Sequence, residues 1–172
     1  MSSRSTLFEP IALSNLRRLK RARTGRRTML GALGIFLALG LTNQFGVTSR
    51  VVSDESDGYT IRVTYAGVTR LGLATPWQLE VTRPGGFDTP ITIETTAAYF
   101  EIFDANSLHP PPSSATASMI VWELDPPEGD SLVISLDARI EPTYHGSRTA
   151  TTSLRVAGRD VAAVTYRTRV MP

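Results

Sequence analysis

Between Met29 and Leu41 the chain carries no charged or strongly polar side chain; Thr42, Asn43 and Gln44 follow, and then Phe45, Gly46 and Val47. This run constrains the chain more than any other. Taken as helix from Met29 to Val47 it has 19 residues, about 28 Å at 1.5 Å per residue. The hydrocarbon core of a bilayer is ~30 Å thick. The sequence therefore predicts a transmembrane helix over 28–47, acting as an uncleaved signal anchor. Two export signals compete with that reading. The strict apolar run of 13 residues also has the length of a signal-peptide h-region, with small residues flanking Leu39 in Ala38-Leu39-Gly40. Arg26-Arg27-Thr28-Met29-Leu30 is similar to a twin-arginine signal. A helix buried in a soluble core fits poorest, because no second long apolar helix exists to pack beside it.

Charge sets the orientation. The net +2 of the 172-residue chain conceals two opposed blocks. Residues 1–27 hold eight basic side chains against the single acid Glu9, a net of +7, and residues 28–172 hold ten against 15 acids, a net of −5. Arg17, Arg18, Lys20, Arg21, Arg23, Arg26 and Arg27 lie directly before the apolar run and place the N-terminus in the cytoplasm by the positive-inside rule. The basic excess thus belongs to a short arm, and no nucleic-acid partner is expected of the main domain. Within Leu7–Arg23, Ile11, Ala12, Leu16 and Leu19 form a stripe opposite the arginines, the pattern of a helix lying on an anionic leaflet. In the span, Gly31, Gly34, Ala38 and Leu41 share one side. Gly34 and Ala38 have the small-xxx-small spacing that lets a second helix approach.

Beyond Thr48–Gly58, read as an acidic linker in which Val51 and Val52 could begin an edge strand, hydrophobicity alternates with period two to the C-terminus. The inward residues are Tyr59, Ile61, Val63 and Tyr65; then Trp77, Leu79 and Val81; then Ile91 and Ile93. Later strands place Ile120, Trp122 and Leu124 inward, then the alternate residues Leu132–Ile140, then Thr152, Leu154 and Val156, then Ala162, Val164, Tyr166 and Thr168. Tyr99–Asp104 carries aromatic rings on both faces; it reads as a central strand buried on both sides, the alternative being that one ring pair is exposed for a partner. Turn chemistry separates most of these runs, as in Arg83-Pro84-Gly85-Gly86 and Ala157-Gly158-Arg159-Asp160. The exception is Ala105–Ser118, whose triple proline Pro110–Pro112 breaks any ladder and leaves a long loop.

The expected fold is all-β: an antiparallel sandwich of seven to nine strands over 59–172 behind one transmembrane helix. Tyr59–Val170 resembles the immunoglobulin-like and fibronectin-type sandwiches of exported proteins, although the chain has no cysteine pair and no tyrosine-corner motif. The segment WELDPPEGDSLVISLDARI, Trp122–Ile140, is similar to small uncharacterised bacterial membrane-anchored proteins. The resemblance implies an extracytoplasmic domain and brings no activity with it.

The absence of cysteine excludes disulfides, iron–sulfur clusters, cysteine zinc sites and thiol catalysis. No G-x-S-x-G elbow, phosphate loop or dinucleotide fingerprint occurs. His109 and His145 stand beside turn residues, and a triad using Ser147 and His145 would need a rigid element that a turn does not supply. Asp54, Glu55 and Asp57, like Asp125, Glu128 and Asp130, are turn acids without the spacing of a calcium loop. The expectation is accordingly no catalytic residues, no cofactor and no metal. The chain reads as a non-enzymatic accessory module displayed outside the membrane, with the bilayer and a multi-pass membrane or envelope protein as partners. The alternative is an exported domain that binds a ligand, the cell wall or calcium through the loops 105–118 and 142–148.

Overall fold

The computed structural model describes residues 25–37, 47–104 and 107–172. They belong to two compact units, one ending at Phe45 and the other comprising Gly46–Pro172. In the first unit an α-helix covers 25–37, with every side chain exposed. Among the described residues no helix is long and apolar enough to cross a membrane. Residues 38–46 of the expected span lie outside the described residues, as do Arg17, Arg18, Lys20, Arg21, Arg23 and the stretch Leu7–Arg23.

The second unit is all-β, with ten strands among its described residues: β1 (Thr48–Ser56), β2 (Tyr59–Arg70), β3 (Trp77–Thr82), β4 (Ile91–Thr96), β5 (Leu108–His109), β6 (Ser114–Ala115), β7 (Met119–Leu124), β8 (Ser131–Leu136), β9 (Gly146–Val156) and β10 (Arg159–Met171). The ladder is continuous in the order β5-β8-β3-β2-β10-β9-β4-β7-β6, with β1 paired to β2. It curls so that the β2–β3–β8 half and the β10–β9–β4–β7 half share one core. The alternation produces this directly. Ile61, Val63, Leu79, Val81, Ile93, Trp122, Ile134 and Leu154 are each at most 1% exposed, and one face of each strand is thereby apolar and turned inward. Among the described residues every buried core residue falls between Tyr59 and Val170, so Gly46–Pro172 carries a core of its own and can fold on its own.

Two seams join the halves. At one, the end of β10 crosses over and pairs parallel with β2, Arg169 opposite Val68 and Met171 opposite Arg70. The other strand pairs among the described residues are antiparallel, so the expectation of a purely antiparallel sandwich is corrected at this seam. At the other seam, β5 pairs with β8 and β6 with β7. The residues between them, Pro110-Pro111-Pro112-Ser113, cross from one half to the other. The expected long loop is therefore a strap over its described part. Proline suits the crossing because it has no N–H to leave unpaired between two sheets. Trp122 Nε1 donates to the Pro110 carbonyl at 3.0 Å, and Ser113 Oγ donates to the Glu123 carbonyl while accepting from the Glu123 N–H at 2.9 Å.

Two other expectations are corrected. Residues 48–56 are not linker but the nine-residue strand β1, paired with β2 from Thr48↔Val68 to Ser56↔Tyr59. Only Val52 and Ser56 are even partly buried in β1. Its backbone, not its side chains, adds it to the sheet, and edge strands commonly carry charge. Ala97–Ile102 is a 3-10 turn instead of a strand. Coiling lets Tyr99, Phe100 and Ile102 all point inward, with Phe103 after them, whereas a strand would send alternate rings to opposite faces. Phe100 meets Trp77 edge-on at 5.1 Å, and Tyr99 meets Tyr166 at 5.0 Å. The rings plug the space between the two halves.

Candidate functional site

The core contains more polar chemistry than its apolar pattern suggests. Inward threonines and tyrosines link in series. Trp77 Nε1 donates to Tyr166 Oη at 3.0 Å, Tyr166 Oη bonds Thr152 Oγ1 at 3.1 Å, and Thr152 bonds Thr95 at 2.8 Å. Thr168 Oγ1 donates to the Ala66 carbonyl at 2.6 Å, which leaves Tyr99 Oη as the donor in its 2.7 Å bond to Thr168. A second buried pair, Thr69 and Thr75, shares a bond at 2.8 Å. Burial pushes the phenols of Tyr99 and Tyr166 well above the ordinary value of 10, against the opposing effect of their hydrogen bonds. These hydroxyls hold the two halves together. Thr152 and Thr168 at inward positions were the sequence signal for them.

The sequence-derived site residues are dispersed. Gly31 and Gly34 lie in the helix over 25–37, where a Cβ at either would meet nothing within 4 Å. Ala38 and Leu41 lie outside the described residues. Arg26 and Arg27 are exposed on the same helix. His109 and His145 are exposed in the sandwich, and Ser147 Oγ accepts from Arg167 Nη2 at 2.6 Å. Among the turn acids, Asp54 is engaged in stitching: its Oδ2 accepts the Ala163 N–H of β10 at 3.0 Å. No cluster of three or more His, Asp or Glu side chains able to hold a metal occurs among the described residues.

Two of the recesses on the sandwich bear on binding. One, of about 640 Å³, lies between the β3–β4 and β7–β8 connections and is lined by Gly85, Gly86, Phe87, Pro126, Glu128 and Asp130 among others. Beside it the Arg83 guanidinium sits 4.9 Å over the Tyr59 ring and is ion-paired with Asp88. The hydrogen bond from Arg83 holds the Asp88 carboxyl below its ordinary value. The other recess, of about 320 Å³, lies beside the parallel seam between residues of β1, β2 and β10. It is lined by Arg50, Tyr65, Gly67, Val68, Arg167 and Arg169. Sequence reasoning missed this site, because its three arginines come from strands more than a hundred residues apart.

No protein-family model matches the chain, and no curated protein matches it. Among solved structures it is similar to the Pseudomonas fluorescens alkylpurine DNA glycosylase AlkC bound to DNA containing an abasic site analog, at 13% identity and a TM-score of 0.29. That match covers 60% of this chain and spans 28% of the glycosylase chain. It is also similar to the collagen-binding subdomain of the Enterococcus faecalis surface protein ACE, at 8% identity, TM-score 0.32, covering 69% of this chain and 99% of that one. A collagen-binding domain from a Staphylococcus aureus adhesin matches at 9% identity, TM-score 0.34, covering 74% and 99%. Likenesses this low carry no argument about ligand or partner, and the fold assignment rests on the chain's own ladders and core.

Proposed function

We propose that this chain is a non-enzymatic interaction module: an immunoglobulin-like sandwich displayed on the outer face of the cytoplasmic membrane by a single N-terminal anchor, bracing or binding a membrane or envelope protein. The observation that carries the reading is the absence of any spacer in sequence. Val47 ends the expected span and Thr48 opens strand β1. A basic block of net +7 precedes the run and an acidic block of net −5 begins with it, the charge order of an anchor with its N-terminus inside. A tether without a stalk confines the sandwich to partners at the bilayer surface.

Alkaline carbonate washing of membranes and protease treatment of spheroplasts test the proposal together. The expected result is a full-length chain that stays in the membrane pellet, with residues 46–172 open to external protease. Release by carbonate, or a sandwich protected in intact spheroplasts, would refute it. Co-purification in mild detergent then addresses the partner. The 640 Å³ recess between Gly85–Phe87 and Pro126–Asp130 favours a second reading, a small wall-derived ligand or calcium bound there. A thermal-shift series with wall fragments and calcium decides it, a flat response removing that reading.

A further inference from the structure

Several arginines of the sandwich are neutralised by a carboxylate. Arg62 pairs with Glu80, Arg83 with Asp88, Arg148 with Glu101, and Arg155 with Glu94 and Asp160. The three arginines of the seam recess differ. Arg50, Arg167 and Arg169 line one pocket that contains no carboxylate, and none of them makes an ion pair among the described residues. Grouping like charges costs free energy that a solvated surface pattern would avoid. It is all the more unexpected in a segment, 28–172, that has five more acids than bases.

The recess is also constructed to hold these side chains. Arg50 comes from β1, and its aliphatic stem lies over Gly67 of β2. A Cβ built on Gly67 would stand 2.6 Å from Arg50 Cδ and 2.7 Å from Nε. Gly67 is thus the one strand position whose missing side chain makes room for the arginine. Arg167, from β10, is fixed by its 2.6 Å hydrogen bond to Ser147 Oγ on β9. Arg169 sits beside Val68 in the parallel ladder, so the register of the seam sets its place. The Tyr65 ring, 9% exposed, closes the inner wall. Guanidiniums that line one recess from different strands offer forked N–H donors of the kind that match the oxygens of a tetrahedral oxyanion.

We propose that the Arg50–Arg167–Arg169 recess is a binding site for a phosphate-type oxyanion, supplied either as a lipid phosphodiester headgroup or as free phosphate. Arg50 and Arg167 engage the oxygens from two sides and Arg169 supplies the third charge. The site lies at the edge of the sandwich where the chain enters: Arg50 is three residues beyond Val47, no more than ~11 Å of extended chain. The inference stands on the recess alone and does not depend on residues 28–47 being an anchor.

Gly46–Pro172, which carries a core of its own, is the protein to use. In a low-salt NMR titration with inorganic phosphate, we expect amide shifts confined to Arg50, Gly67, Ser147, Arg167 and Arg169. Arg50→Gln and Arg169→Gln should each weaken binding about fivefold, the ratio equivalent to ~1 kcal/mol per basic residue at an anionic surface. Gly67→Ala is the decisive variant. It changes no charge and lies at ordinary strand φ, yet it displaces Arg50, and it should weaken binding as much as Arg50→Gln. Arg62→Gln, elsewhere on the sheet, should leave binding unchanged. A sedimentation arm uses phosphatidylglycerol and phosphatidylcholine vesicles. Retention on phosphatidylglycerol that free phosphate displaces only weakly assigns the headgroup, whereas phosphate binding without vesicle retention assigns the free ion. Diffuse or absent shifts, an unaffected Gly67→Ala, or glutamate binding as well as phosphate would overturn the proposal. Each variant's thermal unfolding separates lost binding from a lost fold.

Discussion

Tyr166→Phe isolates the contribution of the buried polar series. The ring keeps its neighbours, Tyr65 at 5.1 Å and Tyr99 at 5.0 Å, so only the hydroxyl is lost. With it goes the acceptor of Trp77 Nε1, a side chain that is only 1% exposed. Thr152 keeps its bond to Thr95. Loss of a hydrogen bond costs about 1 kcal/mol and a stranded buried donor a further ~1–3, giving roughly 2–4 kcal/mol. For a domain of this size that is a fall of ~7–15 °C in Tm. A second signature appears at high pH. Both buried phenols have folded pKa values raised above 10, and they remain protonated in the native state after the unfolded chain has begun to ionise. Their contribution is therefore complete below about pH 10 and is lost as pH rises towards the folded values, at up to ~2.7 kcal/mol per pH unit for two groups. Tyr166→Phe should halve that alkaline slope. Circular dichroism melts from pH 7 to 11.5 measure both quantities. Combining Tyr166→Phe with Trp77→Phe should cost less than the two single changes added, because the stranded donor is gone. A Tm drop under ~2 °C, or an alkaline limb of unchanged slope, would refute the assignment of this series as a structural clamp.

The strap and the turns give further tests. Ser113→Ala removes both hydrogen bonds to Glu123; it should cost ~1–2 kcal/mol and speed amide exchange in β5 and β6 more than in β9. Asp57 and Gly58 have φ of 51° and 75° in the turn between β1 and β2, so Gly58→Ala should cost about 1–2 kcal/mol in denaturant unfolding. Because Arg83 holds the Asp88 carboxyl below its ordinary value, the pair's stabilisation is present above that value and fades as pH falls through the folded one. Asp88→Asn should flatten this part of the acid-unfolding curve by bringing stability at neutral pH down to the level the unsubstituted protein reaches in acid.

Chain-local information was sufficient for most of the sandwich. A strand buried on one face has to alternate, and the inward residues of β2, β3, β4, β7, β8, β9 and β10 could be read from period two alone. Turn chemistry was equally local, since Gly58 and Gly158 sit where φ must be positive. Readings failed where a segment's conformation depends on what it packs against. Strand β1 has almost no inward side chains, and only the free backbone edge of β2 makes it a strand. Tyr99–Phe103 carries apolar rings on both sides, which suits a doubly buried strand as well as a coiled plug, and the space between the two halves selects the plug. The prolines of 110–112 announce a break in the ladder, but only the placement of β8 and β7 on either side turns that break into a strap.

The candidate site divides in the same way. Composition and order alone determined the charge partition, the apolar run, the absence of thiol chemistry and the all-β class, because each of these is a property of neighbouring residues. The arginine recess was decided by the fold. Arg50 and Arg169 are 119 positions apart in sequence, and they share a pocket only because β10 crosses the seam to lie parallel to β2. No periodicity records such a crossing, since it is fixed by how two sheets pack and not by any pattern along one strand.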